Sequence, residues 1–208
     1  MKNLSLRLLA FSFILLSFHA FGQDPDEEYY SQIQQEREAK NQQFKNDASS
    51  PLASSDIESF TSLSYYDADV AYVVTAQFNV LAEPQAVMLT TTAGTKQEMI
   101  KYATVTFELN GKQYTLAVYQ DKGLPEFAGS PGQLFIPFKD NTSGNETNAN
   151  GRYLAVTMPE EGTIVELDFN RAFNPYSAYN SELSSVIPKK ENIMKVIMAV
   201  GERKYEDR

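Results

Sequence analysis

Residues 104–120 read TVTFELNGKQYTLAVYQ, two runs rich in Val, Thr, Tyr and Phe joined by Asn110-Gly111. Both residues of that pair tolerate the positive φ of a type I′ turn, whose twist matches that of paired strands, so the stretch predicts a β-hairpin between Glu98–Leu109 and Lys112–Gln120. Working upstream, Val70–Val80 alternates with Tyr72, Val74, Ala76, Phe78 and Val80 on one face, the period of a half-buried strand. Ala86–Thr92 follows and joins Glu98–Leu109 across Ala93-Gly94-Thr95 as a second hairpin. Working downstream, Gly123, Pro125, Gly129, Pro131 and Gly132 mark 121–132 as a loop. Leu134–Phe138, Arg152–Met158 and Thr163–Phe169 read as further strands, the last two joined by a turn at 159–162. Asn174–Lys190 has no period, and Ile193–Val200 reads as a closing strand. About eight strands with short turns predict a mainly β fold, an antiparallel sandwich or small barrel.

Ahead of this β region lies a different composition. Asp24–Asn46 is rich in Gln and Glu and free of Gly, which predicts a helix over Asp26–Lys45. Its stripe of Tyr30, Ile33, Arg37 and Phe44 is broken, so the helix is expected to dock loosely or stand off the domain. Ser55 and Glu58 have capping-box spacing and predict one short helix at Ser55–Leu63. Met1–Gly22 combines Lys2 and Arg7, the apolar run Leu8–Phe18, and small residues Ala20 and Gly22. That is the pattern of a secretory signal peptide, too short in its apolar part to span a bilayer. The expected organisation is a signal peptide at 1–22, a polar helix at 23–50 and a single β-rich domain at 51–208.

The address and the charge narrow the function classes. Cleavage after Gly22 removes two of 18 basic residues and none of 27 acidic ones, leaving 16 minus 27, or −11. Such a surface repels phosphate backbones and anionic lipid, so nucleic acid is excluded as a partner and no stable membrane insertion is expected after cleavage. The one histidine, His19, lies in the signal peptide, and the chain has no Cys. The mature chain therefore lacks the groups for Ser-His-Asp or Cys-His catalysis, for imidazole- or thiolate-held zinc, and for disulfides. Its expected location is periplasmic or secreted, with no cofactor.

The sequence resembles a known family through GRYL at 151–154, LDFNRAFNP at 167–175 and KENIMKVIMAVGE at 190–202. YYDADVAYVVTAQF, ELNGKQYTLAVYQ and FIPFKDNTSGNET fit the same pattern, so the resemblance to domain-of-unknown-function family 1684 (DUF1684) covers Gln32–Glu202. The family is bacterial and without an assigned activity, so the resemblance implies kinship more than function. It also implies a cysteine pair where this chain has Ser177 and Ser185, so a disulfide or a metal shared by such a pair cannot operate here.

The candidate functional face is 138–175, where polar groups gather at strand ends. Asp140, Thr142, Gly144 and Glu146 alternate, but the closing Glu of an EF-hand falls on Gly151. The alternatives are turn capping by Asp140, Asn141 and Ser143 or a less regular calcium site; the reading adopted assigns no metal. Asp168 and Asn170 share a strand face with Glu166, and Arg152 begins the neighbouring strand of an expected hairpin, where it faces Asp168. Arg171 and Asn174 complete the candidate ligand-binding set. The expected function is a non-enzymatic binding domain for a small polar ligand or cell-envelope component. The alternatives are a carboxylate-dependent hydrolase using a pair such as Glu146 and Asp168, and an interaction protein using the N-terminal helix.

Overall fold

A computed structural model describes residues 25–127, 130, 132–159 and 163–205. The signal-peptide reading, and most of the expected turn at 159–162, lie outside them. Among the described residues the fold is mainly β, one antiparallel sheet preceded by one α-helix. The helix, α1, is Pro25–Asn46; the strands are β1 Val73–Thr90, β2 Lys96–Leu109, β3 Lys112–Gln120, β4 Leu134–Phe138, β5 Arg152–Val156 and β6 Ile164–Asp168. The six-stranded sheet has the order β5-β4-β3-β2-β1-β6 and curls into a half-barrel.

The hairpin at 104–120 stands as read. Phe107 pairs with Tyr114 and Leu109 with Lys112, and Asn110 and Gly111 have φ of 52° and 70°. The two expected strands at Val70–Val80 and Ala86–Thr92 are one long strand, β1, irregular between Val80 and Gln85. A second irregularity lies between Lys101 and Ala103 on β2. Extra residues in a ladder bend it and increase its twist, which curls one six-stranded sheet into a half-barrel where a sandwich or small barrel of about eight strands was expected.

Curling lets the sheet bury residues on both faces. On β3, Leu116 and Val118 join the larger core with Phe78, Val105, Phe107, Ile136 and Leu154. Ala117 and Tyr119, pointing the other way, join Leu89, Met99, Phe135 and Tyr153. A third cluster of Phe44, Leu52, Phe60, Leu63 and Tyr179 lies under the helix end.

The expected closing strand at Ile193–Val200 is not a ladder strand, although its period of two is real. Met194, Met198 and Val200 are core residues while Ile193 and Ile197 stand exposed. Its backbone is held partly by the loop after β4, where the Lys139 and Asn141 N–H groups donate to the Asn192 and Val196 carbonyls and the Met194 N–H donates to the Lys139 carbonyl at 2.8–3.0 Å, and partly by side chains. Between β3 and β4, which pair directly only at Tyr119↔Phe135 and Gln120↔Leu134, Asn192 bonds the Ala117 N–H and carbonyl and the Pro137 carbonyl at 2.8–2.9 Å. One buried amide thus stands in for a strand, satisfying groups that would otherwise be orphaned. The expected helix at Ser55–Leu63 reduces to turns, with Phe60 N–H bonded to the Asp56 carbonyl.

Helix α1 is docked firmly. Asp26, Glu27 and Glu28 in its first turn and Lys45 in its last complement the helix dipole. Ile33 and Phe44 are buried, while Tyr29 points inward and Tyr30 outward, opposite to the expected stripe.

At Gly111 an added Cβ meets nothing within 4 Å, so a substitution there strains the backbone alone. Gly111→Val is expected to cost about 1–2 kcal/mol, read as a lower denaturant midpoint with unchanged slope; an unchanged midpoint refutes the turn assignment.

Candidate functional site

The eight candidate residues divide into separate groups. Asp140, Thr142 and Arg152 form a buried cluster; Asp168, Asn170 and Arg171 lie under α1; Asn174 joins Glu202; Glu146 lines a surface cavity. The expected Arg152–Asp168 pair does not form. β5 and β6 are not a hairpin but the two ends of the sheet, since β6 pairs with β1. A turn between them in sequence carried no information about which strand β6 would join.

Arg152 begins β5 with no exposure and faces Asp140, its Nη2 3.0 Å from Oδ2. The same nitrogen donates to the Met198 carbonyl at 2.9 Å, and Nη1 donates to the carbonyls of Val200 and, at 3.2 Å, Glu202. Those carbonyls belong to alternate residues of the C-terminal segment, so one guanidinium fork serves three of its acceptors. Asp140 Oδ1 accepts from the Thr142 N–H at 2.8 Å, the Thr142 hydroxyl at 2.7 Å and the Met198 N–H at 3.3 Å. Both carboxylate oxygens are thus aimed at donors, which favours turn capping over a calcium site. Burial pulls the Arg152 guanidinium below its ordinary pKa while Asp140 pushes back; an arginine so placed remains charged.

Under α1, Asp168 accepts from the Tyr29 hydroxyl at 3.0 Å, from Asn170 N and Nδ2 at 2.9 Å, and from Arg171. Arg171 in turn grips Glu36 of the helix with Nε at 2.8 Å and Nη2 at 2.9 Å. Desolvation, then the Asp168 charge, push the Tyr29 hydroxyl far above its usual pKa. Asn170 is committed to structure, bonding Asp69 N–H at 2.8 Å and its carbonyl at 2.9 Å. The Glu36 carboxyl is held below its ordinary value chiefly by Arg171.

Glu202, which the sequence reading missed, is the third anchor. It is 1% exposed and accepts from Lys40 Nζ at 2.9 Å, Asn174 Nδ2 at 2.9 Å and the Tyr179 hydroxyl. The available signal was the helix itself. Tyr29, Ile33, Glu36, Lys40 and Phe44 recur at helical spacing, but a search for an apolar stripe discounts the charged members. Ser177 and Ser185, where the family resemblance implies cysteines, are neighbours: the Ser177 N–H donates to Ser185 Oγ at 3.2 Å, and Ser185 Oγ donates to Glu126 at 2.5 Å.

Glu146 is the candidate left facing solvent, its side chain 54% exposed. It borders a cavity of about 270 Å³ lined by Ser59, Thr61, Ser62, Asn145, Arg203 and Tyr205, among others. Tyr66 donates its hydroxyl to Glu146 Oε2 at 3.1 Å, and Arg203 lies 4.0 Å from the same oxygen and over the Tyr66 ring.

A curled six-stranded sheet, a docked polar helix and a guanidinium-clamped terminal segment define a small, mainly β fold. Residues 58–203 match the family described as protein of unknown function (DUF1684), and the chain belongs to that family. It is also similar to the uncharacterized protein from gene locus rrnAC0354 of Haloarcula marismortui, solved by solution NMR. The identity is 29%, the TM-score 0.64, and the match covers 86% of this chain and 95% of that one. Comparison with curated proteins returns no match.

Arg152→Met keeps the stem and removes the charge, leaving Asp140 buried and uncompensated. The expected loss is about 3–5 kcal/mol, and Arg152→Met with Asp140→Asn recovers part of it. Denaturant melts decide; a single variant as stable as the parent refutes the clamp.

Proposed function

We propose that the protein is an exported, non-enzymatic binding protein that holds a small polar, sugar-like ligand or cell-envelope component in the cavity beside Glu146. The observation that carries this reading is the cavity's lining. Ser59, Thr61, Ser62, Ser64, Asn145, Glu146 and Arg203 line the cavity together with the aromatic Tyr205. Convergent polar groups on a partly aromatic concave wall suit a polyhydroxylated ligand, whose hydroxyls need many partners and whose ring offers an apolar face. The other candidate carboxylates are engaged elsewhere, Asp140 with Arg152 and Asp168 with Arg171. A glycosidase needs two carboxylates across the scissile bond, and among the lining residues Glu146 is the single carboxylate, which favours binding over hydrolysis. Export rests on the charged, apolar and small-residue pattern of 1–22.

Thermal-shift and calorimetric titration with neutral sugars, amino sugars and uronic acids is expected to find a saturable ligand in one class. Glu146→Gln should weaken it at least tenfold while leaving the ligand-free melt unchanged, because this side chain is exposed. No saturable shift across the panel, or full affinity in Glu146→Gln, overturns the assignment. N-terminal sequencing of protein recovered from producing cells is expected to begin near Gln23; recovery of the intact N-terminus removes the export reading.

A further inference from the structure

A second, smaller cavity of about 140 Å³ lies between α1 and the chain that follows β6. It is walled by Ile33, Ala172 and Phe173, with Arg37, Lys40, Tyr65, Asn170 and the ion-paired Glu36 and Arg171 also on its lining. The cations there are unequal. Arg171 is taken by Glu36 and Asp168, and Lys40 by Glu202. Arg37 has no carboxylate partner among the described residues. Its Nη1 donates to the Tyr66 carbonyl at 2.9 Å, and its guanidinium carbon stacks 4.5 Å from the centroid of Tyr65.

Nε and Nη2 of Arg37, and the Tyr65 hydroxyl, are buried with no protein partner among the described residues. Nε and one Nη form the guanidinium edge that matches the two oxygens of a carboxylate. A buried donor without a partner carries its full desolvation cost, and burial accordingly pulls the Arg37 pKa down. The side chain is therefore placed where an anion would relieve it. The apolar wall limits what that anion carries, and the volume holds about five groups of water size at ~30 Å³ each.

We propose that this cavity is a binding site for a short-chain monocarboxylate, of the acetate to butyrate class, with its carboxylate on the Nε–Nη2 edge of Arg37 and the Tyr65 hydroxyl, and its alkyl end against Ile33, Ala172 and Phe173. Both donors are closed to bulk water in the free protein, so entry turns the end of Arg37 away from its stack on Tyr65. The site is separate from the cavity beside Glu146 and shares no lining residue with it.

The test titrates the purified protein with acetate, propionate and butyrate at constant ionic strength, against chloride and against the neutral amides of the same acids. Thermal shift and methyl NMR are the readouts. Saturable stabilisation by the acids and not by the amides or chloride is expected, with shifts at the methyls of Ile33 and Ala172. Tyr65→Phe should weaken binding several-fold, Arg37→Met should abolish it, and Glu146→Gln should leave it unchanged. Tyr65→Phe deletes a hydroxyl that lacks a partner, so it keeps the test decisive if Arg37→Met fails to fold. Equal effects of acids, amides and chloride, absence of saturation, or full affinity in either Tyr65→Phe or Arg37→Met overturns the site.

Discussion

The Asp140–Arg152 pair is the interaction on which the rest of this fold depends. It joins the loop after β4, the start of β5 and the extended C-terminal segment through one buried guanidinium. The segment carries Met194, Met198 and Val200 into the main core, and the loop after β4 reaches its Asn192 and Val196 carbonyls through the Lys139 and Asn141 N–H groups. Side chains extend that support, Arg152 at the carbonyls of Met198, Val200 and Glu202 and Asn192 in the opening between β3 and β4. A buried ion pair adds little net stability compared with an apolar replacement. What this one supplies is direction, because a planar fork fixes which carbonyls face it.

The clamp also sets the position of the helix. Glu202, whose own carbonyl is the last one clamped, sends its carboxylate to Lys40, Asn174 and Tyr179 in the interior. Gly201, just before it, has φ of 74°, and a Cβ there would meet the carbonyls of Ala172 and Phe169 at 2.8 Å. The chain passes so close to the turn after β6 that only glycine fits. α1 then spans Asp168, Arg171 and Glu202 with Tyr29, Glu36 and Lys40, crossing from the end of β6 to the C-terminal segment. Its docking is polar along the middle and apolar at Ile33 and Phe44. The same packing leaves Arg37 with a single partnered nitrogen, and polar docking of this kind is where a ligand most easily substitutes for a protein partner.

Of the polar residues between 138 and 175, most serve architecture. Asp140 and Thr142 cap the loop, Asn170 ties Asp69 to the end of β6, and Asn174 supports Glu202. Glu146 differs because its carbonyl accepts the Lys204 N–H at 2.9 Å while its exposed side chain, held by the Tyr66 hydroxyl and beside Arg203, borders the cavity.

The sequence by itself determined the local elements. Alternation and Asn110-Gly111 specify the β2–β3 hairpin, and Ala93-Gly94-Thr95 the β1–β2 hairpin, because turn chemistry and strand period act between neighbours in the chain. Composition likewise specified α1 as a helix, and LDFNRAFNP with GRYL indicated the family. Only the tertiary structure decided that β6 joins β1 and not β5, that Arg152 meets Asp140 and not Asp168, and that Ile193–Val200 is clamped and not laddered. Those outcomes depend on which segments meet across the curled sheet, and period-two alternation is the same whether a strand's edge is satisfied by another strand or by a guanidinium. The charged face of α1 was hidden for a related reason: Glu36 and Lys40 read as solvent-facing until Arg171 and Glu202 are brought opposite them.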